Sequence, residues 1–244
     1  MTMTIYILTA FPKMVSCFFD ESIIKKAQEK KAVEIKVIDL RNFAYDKRGS
    51  IDDRVYGGGK GMLLRVDVID KALSSIKKSK KKLKIVLTSP KGKFFNQDKA
   101  REYSQLDNLI IICGHYEGVD ERVKKLIDEE VSLGEFILTG GEIVAAAISD
   151  SIIRLLPGVL DEEVISKESF SEYEIDYLIS ILGKKKILLG LKKKGIEKIK
   201  LLEYPQYTRP EIYKNLKAPK VLLSGDQKKI EEWRLEKALK ETFK

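Results

Sequence analysis

The sequence predicts an α/β domain built on a parallel sheet, followed beyond a boundary near residue 162 by a smaller helical region. Three observations predict it. Short, nearly continuous apolar runs alternate with segments of helical period, the chain opens β-α-β, and the strand-like runs stop after Gly158.

Taken in order, "IYILTAF" (5–11) is a short apolar run closed by Pro12, which suits a strand buried on both faces. "MVSCFFDESIIKKAQEK" carries apolar residues at helical spacing, and "VEIKVIDL" (33–40) alternates like a strand. "LLRVDVIDKALSSIKKS" reads as a helix, "LKIVLTS" (83–89) as a strand stopped by Pro90, and "LIIICGHYEG" (109–118) as a buried strand entering a polar turn. "DERVKKLIDEEV" and "EFILTGGE" continue the alternation as helix and strand, and a helix follows from about 143 to 156, ended by "PG". "VLDEEVISKESFSEYEID" is acidic and polar with few element signals, so it reads as a linker. The expected organisation is a domain over 1–162, a linker over 163–172, and a Lys-rich helical region over 173–244 without a clear buried strand.

With 244 residues, 43% of them hydrophobic, the chain can bury a substantial core. Forty-six Lys and Arg against 37 Asp and Glu leave a net charge of +9, clustered in "KKSKKK" (77–82) and "KKKILLGLKKKG" (184–195). An acidic polymer is the partner this charge suits, nucleic acid before membrane surface, although lysine on solvated faces accounts for it equally well. Two distant cysteines, Cys17 and Cys113, offer no disulfide framework, and with one histidine they cannot close a four-ligand Cys/His zinc site. The first apolar run is too short for a signal segment and no run approaches a membrane span, so a cytoplasmic protein is expected.

Four groups of residues draw attention as chemistry. "DDRVYGGGKGM" (52–62) has neither G-x-G-x-x-G nor P-loop spacing, which disfavours a nucleotide-phosphate cradle. The glycines alone suit a surface turn; the flanking Asp52, Asp53, Arg54 and Tyr56 shift the reading toward a ligand. "CGHYEGVDER" (113–122) and "SLGEFILTGGE" (132–142) each place glycine-flanked backbone at a strand end, where ligands bind in open α/β sheets. His115 has no Ser or Cys in an elbow motif to serve, and reads as a turn histidine with a local hydrogen bond. Arg154 precedes the acids Asp161, Glu162, Glu163 and Glu168, a pairing able to supply an electrophile and a base but equally a solvated acidic linker.

Together with "DSIIRLLPGVL", "YPQYTRPE" and "VLLSGDQKKIEEWR", these motifs resemble, in order and spacing, the bacterial tRNA (guanine-N1)-methyltransferase (TrmD) family. The resemblance spans nearly the whole chain apart from 173–200. It implies a SPOUT-class deep trefoil-knot domain, a helical C-terminal tRNA-binding domain, and a homodimer with the active site between subunits. It also implies methyl transfer from S-adenosylmethionine (SAM) to N1 of the guanine at position 37, in the anticodon branch of tRNA. The cofactor loops would supply Leu87, Thr88, Ser89 and Pro90, then Gly114, Tyr116, Glu117 and Gly118. The third loop would add Ser132, Leu133, Gly134, Glu135, Phe136, Ile137, Leu138, Gly140 and Gly141.

For catalysis the resemblance assigns an arginine at Arg154 and a base at Glu168; for substrate it assigns Asp52, Gly61 and Arg209. Guanine N1 carries a proton, so methylation needs a base to remove it and a cation to hold the charge growing on O6. Glu168 stands where the family has aspartate. The intrinsic acidity differs by about half a unit, whereas the extra methylene moves the carboxylate by about 1 Å, a displacement that matters for catalysis. Lys60 and Val144 stand where the family often has proline, and the "YEIDYLISILGKKKILLGLKKKGIEKIK" stretch suggests an added amphipathic helix. A family dependence on magnesium finds no dedicated acid cluster here. Two other readings stay open at this stage: a knotted methyltransferase with another RNA target, and an RNA-binding relative without catalysis.

Overall fold

A computed structural model describes residues 2–76 and 82–244, so residues 77–81 of the "KKSKKK" run lie outside the described residues. The chain divides into two compact units, Met1–Leu160 and Asp161–Lys244.

The first unit begins with β1 (Met3–Thr9), α1 (Pro12–Ser16), α2 (Ser22–Glu29) and β2 (Val33–Asp39). A short hairpin, β3 (Asp52–Arg54) with β4 (Met62–Leu64), leads into α3 (Val66–Ser75). Then come β5 (Leu83–Phe94), α4 (Gln97–Tyr103), β6 (Asn108–Cys113), β7 (Glu129–Ser132) and α5 (Glu142–Ile153). The five-stranded sheet has the order β2-β1-β6-β5-β7, and its pairings are parallel. Parallel pairing follows from the crossovers, because parallel strands cannot be joined by a tight turn.

The apolar runs are continuous because both sheet faces are covered. On one face Ile5, Ile7, Val86, Leu109 and Ile111 pack with residues of α1, α2 and α5. On the other, Leu8, Ile85, Leu87, Ile110 and Ile112 pack with Val68, Ile69, Ala72 and Leu73 of α3.

Two strand expectations are corrected. Pro90 does not stop the third long run: β5 continues to Phe94, with a register shift between Thr88 and Lys93 where it pairs with β7. Proline is tolerated there because the shift leaves the residues around it out of the ladder. The seventh strand is "EEVS", not "EFILTGG". Glu121–Lys125 forms a short 3-10 segment rather than a full helix, and 133–141 is a loop. The misleading signal is the apolar Phe136, Ile137 and Leu138, which the fold leaves exposed, Ile137 at 81%.

In the second unit the acidic stretch read as a linker carries α6 (Glu162–Lys167) and β8 (Ser171–Glu174). Asp161 caps α6 by accepting from the Glu163 N–H. There follow α7 (Ile175–Leu182), α8 (Lys186–Lys193), β9 (Lys198–Leu201), the small pair β10 (Ile212–Tyr213) and β11 (Leu216–Lys217), and α9 (Gln227–Thr242). The stretch expected as one added amphipathic helix is thus two, broken at Gly183, whose φ of +74° suits glycine. Strands β8 and β9 form an antiparallel pair that periodicity did not announce, and Leu201 joins Ile175, Leu178, Leu188, Leu235 and Leu239 in the unit's core.

Candidate cofactor and substrate site

The carboxyl ends of β5, β6 and β7 converge on one cavity of about 320 Å³. This is the end of a parallel sheet at which ligands bind. Three loops interlock to make it. Thr88, buried at the end of the regular part of β5, donates from Oγ1 to the Ile112 carbonyl at 3.2 Å and accepts from the Gly114 N–H at 3.2 Å. The Gly141 N–H donates to the Gly114 carbonyl at 2.7 Å. A Cβ on Gly141 would overlap Thr88 Oγ1, so the second glycine of "TGGE" is a packing requirement.

Every residue assigned to the cofactor loops except Glu135 lines this cavity. Its apolar wall includes Leu87, Leu133, Ile137, Leu138 and Val144, and its polar part includes Glu117, Glu130, Lys91 and Lys124. Lys124 pairs with Glu121 at 2.7 Å and Glu130 at 3.4 Å. The sequence does not announce Lys91, Lys124 and Glu130, because Lys91 lies beyond Pro90 and the spacing of the other two suits a helix. Tyr116 adopts φ +58°, an uncommon conformation for a residue with a Cβ, as the 114–118 turn reverses.

The glycine loop is held against this turn. Leu64 N–H donates to the Gly118 carbonyl, Glu117 N–H to the Met62 carbonyl, and Asp120 N–H to the Leu64 carbonyl, at 3.0 to 3.1 Å. Gly61, at φ +103°, abuts Glu117 so closely that a Cβ would overlap its side chain. Gly57, Gly58 and Gly59 also have positive φ and open surroundings, with Tyr56 between strand and glycines 95% exposed. Asp52, at the start of β3, pairs in register with Leu64. The hairpin therefore borders the cavity, with Tyr56 and Lys60 of its tip exposed to solvent.

His115 departs from expectation. Its Nδ1 is buried with no hydrogen-bond partner among the described residues, and its ring packs on Phe11 at 4.4 Å. Nδ1 lies 3.5 Å from Glu142 Oε2, itself buried and without a hydrogen bond, while Glu142 Oε1 accepts from Thr9 Oγ1 at 2.7 Å. Glu142 is 1% exposed at the first turn of α5, where the helix dipole favours a carboxylate.

Arg154 terminates α5 in the first unit. Glu168 terminates α6 in the second unit and borders a cavity there, and Arg209 stands exposed in the segment before β10. Among the described residues no group of three or more His, Cys, Asp or Glu side chains is placed to hold a metal ion. No helix among them is long and apolar enough to cross a membrane.

A parallel sheet whose strand ends carry interlocked, glycine-rich loops around a cavity defines an α/β protein with a ligand-sized pocket at the carboxyl end of its sheet. The comparisons make this specific. The model of the family described as tRNA (Guanine-1)-methyltransferase TrmD matches residues 3–244, and the chain belongs to that family. It is 46% identical over 243 residues to a tRNA (guanine-N(1)-)-methyltransferase of a Sulfurihydrogenibium species, covering 99% of this chain and 85% of that one. A protein of the same description from Mycoplasmopsis agalactiae is 47% identical over 242 residues, covering 99% and 94%. The crystal structure of tRNA (m1G37) methyltransferase from Aquifex aeolicus superposes with a TM-score of 0.73 at 38% identity, covering 99% of this chain and 92% of that one.

Proposed function

We propose that this enzyme transfers the methyl group of SAM to N1 of guanosine 37 of tRNA, acting as a homodimer on the anticodon branch. The observation that carries the reading is the single cavity lined by the loops of "LTSP", "GHYEG" and "SLGEFILTGG", bordered by the glycine hairpin.

The cavity's chemistry suits SAM. Its apolar wall can hold a planar adenine, the exposed ends of β5, β6 and β7 offer backbone donors and acceptors for the ring edge and ribose, and Glu117 and Glu130 complement a cationic donor. When bound, SAM supplies an electrophilic methyl group. The chain's own residues would do the rest: Glu168 takes the proton from guanine N1, and Arg154 stabilises the negative charge that develops on O6. Asp52 and the backbone at Gly61 would meet guanine edges, with Arg209 on the RNA. A trefoil knot in the first unit accords with the segment 88–93, where Gly92 lies so close to the backbone of Glu130 and Val131 that no Cβ fits between them. Magnesium, if the reaction uses it, would come with the substrate or reach a cavity carboxylate such as Glu117 or Glu130. A tRNA-modifying enzyme with this composition is expected in the cytoplasm.

The test is direct. The protein is incubated with SAM and a tRNA transcript carrying guanosine at positions 36 and 37, and the product is mapped by mass spectrometry. One methyl group on guanosine 37 is expected. A methyl group on a different nucleotide points to another RNA target, and binding of both ligands without transfer points to a non-catalytic relative.

A further inference from the structure

The second unit holds a cavity of about 420 Å³ that Glu168 borders and whose other lining residues have no part in the reaction chemistry above. Tyr173, Tyr177 and Tyr204 supply aromatic surface, and Glu203, Glu231 and Arg234 supply polar groups. The Arg234 guanidinium lies over the Tyr204 ring, 5.0 Å from its centroid, yet its Nε is buried with no hydrogen-bond partner among the described residues. A buried donor of this kind is costly unless a ligand satisfies it. Tyr177 donates to one oxygen of Glu231 at 2.6 Å, and Gln206 donates to one oxygen of Glu203. Each carboxylate keeps a second oxygen able to accept. The Glu231 carboxylate and burial push the Tyr177 hydroxyl up to about 12, so this tyrosine stays a donor to Glu231.

We propose that this cavity is a second RNA-contacting site that takes one unstacked guanine base of the tRNA, an inference that rests on tRNA being the substrate. Phosphate fits poorly, because Glu168, Glu203 and Glu231 outnumber Lys167 and Arg234 around the cavity. Guanine fits both polar sides: O6 and N7 accept from an arginine, while N1–H and the N2 amino group donate to carboxylates. Adenine offers no O6 acceptor and would turn an N1 lone pair toward a carboxylate. Tyrosine faces and the arginine plane are the surfaces on which single-stranded bases stack. Since Glu168 borders the same cavity, a base seated there lies beside the residue proposed to deprotonate the methyl acceptor.

The full chain tests this with a tRNA transcript carrying 6-thioguanosine, irradiated in complex and mapped by mass spectrometry. Crosslinks are expected on the peptides containing Tyr204 and Arg234. Tyr204→Ala and Arg234→Lys should each lower them, and raise KM for tRNA, about tenfold, the size of one base stack. Tyr204→Phe should retain both, and unchanged melting temperatures would show that the variants fold. Full retention by Arg234→Lys would mean that a charge contact to phosphate suffices and would overturn the guanine assignment. Equally strong crosslinks from 4-thiouridine transcripts would overturn it as well. Methyl transfer with crosslinks confined to the first unit's loops would defeat this inference alone, whereas no transfer and no crosslinks would defeat the proposed function with it.

Discussion

The base and the cation proposed for the reaction make separable demands at the residue scale. Glu168→Gln keeps size and hydrogen bonding but cannot take a proton, so turnover should drop by about 10² or more while SAM affinity is unchanged. Calorimetric SAM titration beside single-turnover methylation checks this, and a fully active variant would hand the role to another acid such as Glu163 or Glu172. Arg154→Ala should act mainly on the methyl-transfer rate, by about 10² to 10³, the usual cost of one donor to a developing oxyanion. The buried Glu142 makes a different demand. Removing it leaves Thr9 Oγ1 without its acceptor and opens space behind Gly140 and His115, so Glu142→Ala should cost about 2 to 3 kcal/mol and weaken SAM binding together. A melting curve that does not move would show the carboxylate to be dispensable to the loops.

Among the elements, β5 matters most, because it pairs with β6 and β7 and then carries its chain past Val131. Gly92→Ala would force a Cβ into the Glu130–Val131 backbone, which can yield only by moving β7, so a loss of about 3 kcal/mol is expected in denaturant unfolding. The same edge is fastened by Glu129, which accepts from Tyr103 at 2.7 Å and pairs with Lys99 and with Lys84 at 3.1 Å. Burial alone would raise this carboxyl, but hydrogen bonds from Lys99, Tyr103 and Lys84 outweigh it and hold the group down at about 2. Its stabilisation is therefore complete above the unfolded value of 4.5 and is lost as pH falls from there through about 2. After allowance for solvent screening it amounts to about 1 to 2 kcal/mol, and Glu129→Gln should flatten the acid limb of the stability curve by that much. The elements also show what could be read from residues alone. The doubly covered strands β1, β5 and β6 were legible because burial on both faces leaves an unbroken apolar run. The ends of β5, the strand β7 and the β8–β9 pair were not, since their pairing is non-local and their residues are charged or mixed. The glycine turns of the site were legible as departures from any strand or helix pattern. Lys124 and Glu130 were hidden because only the fold brings their segment to the cavity.

At the scale of the whole molecule the net charge of +9 separates the two ligands. SAM is small, and in the proposed site it would sit among both signs of charge, Lys91 and Lys124 against Glu117, Glu121 and Glu130, so its binding should rest on local contacts. The tRNA is a polyanion that meets an excess of lysine spread over both units, and each phosphate neutralised releases counterions. Exposed lysines contribute to this as a field rather than as specific readers, because a mobile ammonium neutralises phosphate without selecting a base. If at least four phosphates are neutralised, log K for tRNA should fall against log salt with a slope of about −3 or steeper, while SAM affinity should stay level over the same range. Filter binding for tRNA and calorimetry for SAM, each between low and physiological salt, measure both slopes. Replacing Lys192 and Lys193 by Ala should lessen the tRNA slope by up to about 2 if α8 lies along the RNA backbone. An unchanged slope would place that helix away from the nucleic acid and leave its lysines as ordinary solvated charge.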